Sequence, residues 1–382
     1  MFIVPPKVSL TCKNAEKEKS QTMNVTDRAA GALIGALIGD ALGLGPHWYY
    51  DLTSLRNDYG RWITGYTDPL PGRYHAGMKA GQLSQTGLIL VMLLRSVLEK
   101  GEYQEVDFTD HLDRELLPHL DGTPMQGPGG YTNQSIREAY RRRVQQKLGW
   151  NQTGGHADTT EAAERAIVLA ARYALNPRKV AETVSSNCLL TQSDEAIVAM
   201  TTAFNCVVAL LVSGEKLDAD LSDKLMVQVK TGQLPFHTVT GNNLSMPRLG
   251  APDPPRSGKF SSPDALLTPS YMAEAAHDPN IRIEPPWRVS LVYGMPCAIY
   301  HQLPAAYYLA ARFSDDFESA VLHAINGGGQ NMSRACLTGA LVGAQVGLSG
   351  IPQRFLIGLE DSANLVLLAK RLGKLAETAF AQ

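Results

Sequence analysis

The sequence predicts an all-α protein, and three observations carry that expectation. Apolar residues recur mostly at three- and four-residue spacing while strict alternation is scarce. Alanine and leucine, both strong helix formers, are plentiful. Residues that cap helix starts, among them Ser84, Asp158 and Asp194, stand directly ahead of apolar runs. The candidate helices follow in order: 27–44, with glycines at four-residue spacing; 84–100, strongly apolar and opened by Ser84; then 105–117 and 132–148, on periodicity. Segment 160–175 comes after Asp158, which with Glu161 has the spacing of a capping box. Next come 177–189, then 194–213 with Asp194 at its cap position, and 222–230. The remainder are 296–311, 317–324, a second glycine-spaced helix at 333–348, 352–359 and 362–378. Region 231–270 carries Pro235, Pro247, Pro252, Pro254, Pro255, Pro263 and Pro269 among glycines, so it cannot be continuous helix and reads as a loop insertion.

The chain has 382 residues, ample for a large core, and the similar helical pattern on both sides of the insertion favours one domain over residues 26–382. Residues 1–25 read as a disordered tail: MFIVPPKVSL is broken at Pro5 and Pro6 with no basic region ahead of it, unlike a secretory signal, and a polar stretch follows. Thirty-five basic against 37 acidic side chains leave a net charge of −2, mixed along the chain, so nucleic acid has no basic face to bind. Cys12, Cys188, Cys206, Cys297 and Cys336 are odd in number and form no CxxC pair, which predicts neither a disulfide framework nor a zinc knuckle and fits a reducing cytoplasm. The apolar run Ala29–Gly39 is closed by Asp40, short of the roughly 20 residues that span a bilayer, and no membrane segment is expected. A monomer is the default.

Two stripes match each other: Gly31, Gly35 and Gly39 near the start, and Gly339, Gly343 and Gly347 near the end. Glycine every fourth residue bares one helix face and lets two backbones approach, so the chain ends are expected to meet in the core. Each stripe adjoins a polar cluster. The first runs into Asp40 and then His47-Trp48-Tyr49-Tyr50-Asp51; the second follows Asn326-Gly327-Gly328-Gly329-Gln330-Asn331-Met332-Ser333. A glycine run before a helix suits a phosphate, although it also simply reverses a chain. Segments Gly81–Gly87 and Gly154-Gly155-His156-Ala157-Asp158-Thr159-Thr160-Glu161 are helix starts of the same kind, and the three point to a common pole. Capping explains each of them without a ligand. Tyr49, Tyr131 and Trp150 are candidates either to stack on an adenine or to fill the core.

The ordered blocks RAAGALIGALIGDALGLGPHWYYD, GQLSQTGLILVMLL, GGYTNQSI, GGHADTTEAAERA, LTQSDEAIVAM and AINGGGQNMSRACLTGALVGAQVGLSGIPQRFLIGLE resemble the ADP-ribosylglycohydrolase family over about residues 26–378, closest to its J-type crystallin-like branch. The resemblance implies a compact orthogonal helical bundle. In active members it also implies two divalent ions, usually magnesium, that bind ADP-ribose and activate water against its anomeric carbon. The family's T-D-D-[ST] motif falls on Leu83-Ser84-Gln85-Thr86 and its G-G-D-T-D-[ST] motif on Gly328-Gly329-Gln330-Asn331-Met332-Ser333, with both aspartates of each pair missing. Its THxDP block is Thr191-Gln192-Ser193-Asp194-Glu195. Magnesium is tethered by carboxylates and a thioether is a poor ligand for it, so no family-type metal centre and no cofactor is expected, a single weak magnesium aside.

The resemblance then implies an ADP-ribose-like ligand at His47, Ser84, Gln85, Thr86, Tyr131, Gly154, Gly155, His156, Asn326, Gly328, Gly329, Gln330, Asn331 and Ser333. An active hydrolase with rearranged carboxylates would draw on Asp40, Asp158 and Asp194, with Asp51 and Glu161 as further candidates and His47 or His156 as proton carriers. A structural, crystallin-like role is the third reading. No G-x-S-x-G elbow and no strand-flanked dinucleotide fingerprint is present.

Overall fold

The computed structural model describes residues 24–237, 250, 258–260 and 264–378; the expected tail through residue 23 and most of the 231–270 insertion lie outside them. The described residues form helices joined by loops, with only isolated β-bridges. In chain order these are α1 (Val25–Gly43), α2 (Leu52–Tyr59), α3 (Gln85–Lys100), α4 (Glu105–His111), α5 (Gln134–Tyr140), α6 (Glu161–Arg165), α7 (Ile167–Arg172), α8 (Pro177–Leu189) and α9 (Glu195–Ser213). Then follow α10 (Leu221–Lys230), α11 (Asp264–His277), α12 (Val289–Tyr293), α13 (Ile299–Arg312), α14 (Phe317–Asn326), α15 (Asn331–Val346), α16 (Gln353–Gly358) and α17 (Ser362–Thr378).

At the centre α1 and α15 lie backbone to backbone. A Cβ added at Gly35 would strike the carbonyl oxygen of Gly339, one at Gly31 that of Gly343, and one at Gly39 that of Ala335. Numbers that fall along one helix as they rise along the other make the pair antiparallel. The two ends of the sequence therefore meet, as the paired stripes predict. Every residue of α1 from Ala29 to Gly43 is buried, so this helix is apolar all round rather than amphipathic. Helix α9 is the one described helix long and apolar enough to cross a membrane, a run the Ala29–Gly39 comparison overlooks; 83% of its apolar window is buried inside the protein.

Several boundaries differ from expectation for local reasons. Segment 160–175 breaks at Ala166, whose carbonyl accepts from Leu169 N–H in a tighter turn (2.8 Å). Segments 105–117 and 132–148 relax into wide π turns at Leu112–Leu116 and Arg141–Gln145. Asp158 does not cap α6; Thr160 takes that place, and the Asp158 carboxylate accepts from the Tyr300 hydroxyl at 3.1 Å. Helix α2, capped by Asp51, and α12 lack strong periodicity and escape the sequence reading. The end of the insertion is helical: α11 starts at Asp264 and carries Pro269 inside it, while the neighbouring Ser270 exchanges hydrogen bonds with Ser222 on α10.

Gly35→Ala and Gly339→Ala each force a methyl into a facing backbone that has no side chain to move aside. Each is expected to cost about 1–3 kcal/mol, read as a lower midpoint in urea unfolding. Unchanged midpoints in both would refute the close packing.

Candidate functional site

The glycine contact fixes the positions of two polar clusters. Asp40, near the end of α1, is buried, and its carboxylate accepts from Ser84 N–H (2.8 Å) and from the Ser84 hydroxyl (2.5 Å). Ser84 is the N-cap of α3 and also accepts from Thr86 N–H at 3.1 Å, so one serine joins α1 to the start of α3. Thr159 and Glu161 stand at the start of α6, and Gln330 at the start of α15. These three helix starts enclose a cavity of about 80 Å³, together with Asn133 and Arg137 at the start of α5. The common pole expected from the three glycine-and-polar segments thus exists.

Trp48 forms part of the cavity wall. Its ring is wedged edge-on between Tyr74 and Tyr131, with centroids 4.5 Å from each. Its indole N–H donates to Gln330 Oε1, and the Gln330 amide group donates to the Ser333 hydroxyl at 2.7 Å. His47 lies 2.8 Å from Gln330 Oε1 through Nε2 and 2.8 Å from His75 Nε2 through Nδ1; His75 Nδ1 faces the Gly129 carbonyl at 3.0 Å. A carbonyl at one end and a glutamine oxygen at the other leave three contacts for the two protons of a neutral histidine pair. Burial nonetheless keeps the pair neutral: it drives His47 well below the usual histidine range, and His75 down to about 4. The permanent cation on the cavity wall is therefore Arg137, which donates to the Tyr131 hydroxyl at 3.0 Å and to the Thr132 carbonyl.

Acid is concentrated here after all, in residues other than the missing aspartates. Burial raises Asp40 to about 6 against the pull of its Ser84 bonds. Glu164, one turn into α6, is raised to about 8 by burial, with the Glu161 and Asp40 charges adding to the effect. Glu161 is also raised, by burial, and is the carboxylate that lines the cavity.

Of the predicted ligand residues, His47, Ser84, Thr86, Tyr131 and Gln330 line the cavity. Gln85 turns aside to donate to Thr132 Oγ1 at 3.0 Å. The glycine run is a packing turn: Gly329 N–H donates to the Tyr49 carbonyl (2.7 Å) and Gln330 N–H to that of Met295 (2.9 Å), so Gly328 and Gly329 offer no phosphate cradle. Asn326 is held by the Ile63 backbone, Asn331 is buried against the Ile325 carbonyl, and Ser333 receives Gln330. Gly154 and Gly155 pack on the 191–193 turn, and the exposed His156 gives its N–H to Glu138 at 2.8 Å. Among the carboxylates, Asp194 caps α9 through Ala196 and Ile197 N–H, Asp51 caps α2, and Asp158 holds Tyr300. None of these three lines the cavity. Of the aromatics, Tyr49 is buried and donates to Asp58 at 2.6 Å, while Trp150 donates to Asp113 at 3.1 Å.

Sequence reasoning missed Trp48 as a wall residue, and with it His75, Asn133, Arg137 and Cys297. Asn133 stands in the GGYTNQSI block and Arg137 directly after it, one helical turn from Asn133, a signal that was there to use. Cys297 carried none.

Because Glu164 titrates far above its unfolded value, the folded chain holds a proton that the unfolded chain has released, and that contribution to stability is lost as pH rises from about 4.5 through 8. Glu164→Gln keeps the acceptor for Thr160 and removes the titration. The variant is expected to gain on wild type between pH 5 and pH 9, by on the order of a few kcal/mol. Urea midpoints at the two pH values measure this, and a constant difference would contradict it.

The sequence model of the family described as ADP-ribosylglycohydrolase matches residues 21–382. A protein of Archaeoglobus fulgidus described as uncharacterized is 24% identical over 349 residues, covering 91% of this chain and 97% of its own length. A solved chain from an ADP-ribosylglycohydrolase-related protein complex superposes with a TM-score of 0.58 at 17% identity, covering 92% of this chain and 99% of that one, a likeness of fold.

Proposed function

Because the chain belongs to the ADP-ribosylglycohydrolase family, we propose that it binds an ADP-ribose-like ligand at the pole where α3, α6 and α15 begin, without the two-metal centre of active relatives. One observation carries this reading: the positions the family fills with aspartates are neutral here, and protein neighbours engage most of their polar groups, Gln85 Oε1 excepted. Ser84 is spent on Asp40, Gln330 on Trp48 and Ser333, and the Gln85 amide group on Thr132, while the Met332 backbone lies against Gly43. Neutral oxygens and a thioether do not fit two hard dications, and of those side-chain oxygens only Gln85 Oε1 is without a hydrogen bond, so no step is routed through metal.

The cavity of about 80 Å³ is well below the roughly 300–1,000 Å³ of sites that enclose a whole drug-sized ligand. It suits one sugar-sized group, with Asn133 and Thr159 as neutral partners for hydroxyls. Arg137 and the Tyr131 ring beside it are matched to a diphosphate and an aromatic base outside it. Titrating ADP-ribose by calorimetry is expected to give the same affinity with and without magnesium, reduced about tenfold in Arg137→Ala. No heat in either condition overturns the ligand and leaves a structural, crystallin-like role.

Glu161 favours a second reading, an active hydrolase with rearranged carboxylates. It is the acid on the cavity wall, and burial raises its affinity for a proton, as a general acid requires. Release of ADP-ribose from a modified protein, lost in Glu161→Gln and kept in Asp194→Asn, would establish this reading. An inactive wild type would dismiss it.

A further inference from the structure

Away from the pole, the far end of α3 meets α4 in a cluster that the proposed function does not use. Glu99 stands near the end of α3, and Asp107 and His111 lie one turn apart on α4. Carboxylate oxygens of the first two and a ring nitrogen of the third lie within 4.8 Å of one another. His111 is only 5% exposed, and its two nitrogens are in different situations. Nδ1 sits 2.5 Å from Glu115 Oε1, which can only accept, so the ring proton is on Nδ1. That leaves Nε2 as a lone pair. It is buried with no hydrogen-bond partner and is aimed between Glu99 Oε2 at 3.6 Å and Asp107 Oδ2 at 3.8 Å. Those separations are too long for hydrogen bonds. They are close to the roughly 3.4 Å between two ligands that share a tetrahedral ion at about 2.1 Å.

The neighbours fit a metal site as well. A carboxylate behind the far nitrogen of a ligating histidine fixes its tautomer and raises its basicity, and Glu115 holds that place, itself paired with Arg95. The Ser96 hydroxyl donates to Asp107 Oδ2 at 2.7 Å, and Lys100 Nζ lies 3.1 Å from the other Asp107 oxygen, so this carboxylate is oriented from both sides. Glu99, Asp107 and Glu115 outnumber Arg95 and Lys100, and the half-exposed Glu99 gives an ion a path in from solvent. One imidazole nitrogen with two carboxylates suits a first-row transition dication better than magnesium or calcium, which take oxygen.

We propose that Glu99, Asp107 and His111 bind one zinc-like divalent cation, with water completing the coordination, and so clamp α4 to the end of α3. Chelator-stripped protein is titrated with zinc chloride by calorimetry and with cobalt chloride by visible absorption. One ion per chain is expected, with the intense bands of four-coordinate cobalt. Affinity should fall at least about tenfold in Glu99→Gln, an exposed change that leaves the core alone, and in Asp107→Asn, and stoichiometric binding should be lost in His111→Gln. Wild type that takes up no stoichiometric zinc or cobalt overturns the proposal and leaves His111 a proton-bearing partner of Glu115. Uptake that Glu99→Gln and Asp107→Asn leave unchanged also overturns it, because the ion then sits elsewhere, as at the His47–His75 pair.

Discussion

The bare contact between α1 and α15 is the constraint on which the rest of the molecule depends. Glycine costs about 1 kcal/mol per position in a helix relative to alanine, and the two helices carry Gly31, Gly35 and Gly39 against Gly339 and Gly343. Such a cost is tolerable only where the approach it allows returns more. Here the return is the burial of nearly every side chain of both helices and the meeting of segments some three hundred residues apart. Because the stripes run in opposite directions, the C-terminal end of α1 and the N-terminal end of α15 arrive together, and they bring Asp40 and Gln330 to the same pole.

Burial that tight sets the electrostatics. A carboxylate deprived of water is costly unless a cation or several donors replace the lost hydration. At this pole Asp40 has the hydroxyl and the N–H of Ser84, Glu164 has the Thr160 hydroxyl and Glu161 that of Thr159, while the nearby buried Arg165 is taken up by Asn187. The rise in proton affinity of these acids follows from burial, which the hydroxyls only partly offset. His47 and His75 feel the same pressure with opposite sign and are kept neutral. A site of neutral histidines and acids of raised proton affinity is consistent with hydroxyl recognition and with proton transfer.

The sequence makes legible whatever depends on local pattern or on identity at a fixed spacing. The glycine stripes, the caps at Ser84 and Asp194, and the helical class all come from such rules. Family membership came from the order of blocks, and the same order located Ser84, Thr86 and Gln330 on the cavity wall. What was missed depends on long-range packing. The glycine run before α15 looks like an anion cradle in sequence, and only the position of the Tyr49 and Met295 carbonyls reveals that its N–H groups are occupied. Asp158 has the spacing of a cap, but the chain starts its helix two residues later and leaves the carboxylate for Tyr300. Cys297 reaches the cavity from the turn just before α13, although the expected helix 296–311 includes that position.

Trp48 connects these points, because it shares one oxygen of Gln330 with His47. Its indole N–H and the His47 ring both require an oxygen from Gln330, and glutamine supplies that oxygen without a charge that burial would have to compensate. An aspartate at position 330 would present its oxygens one methylene shorter, and would bring a negative charge beside a histidine that burial keeps neutral. The neutral residue and the tryptophan therefore suit each other: an aspartate substituted at position 330 alone would place a charge among neutral partners.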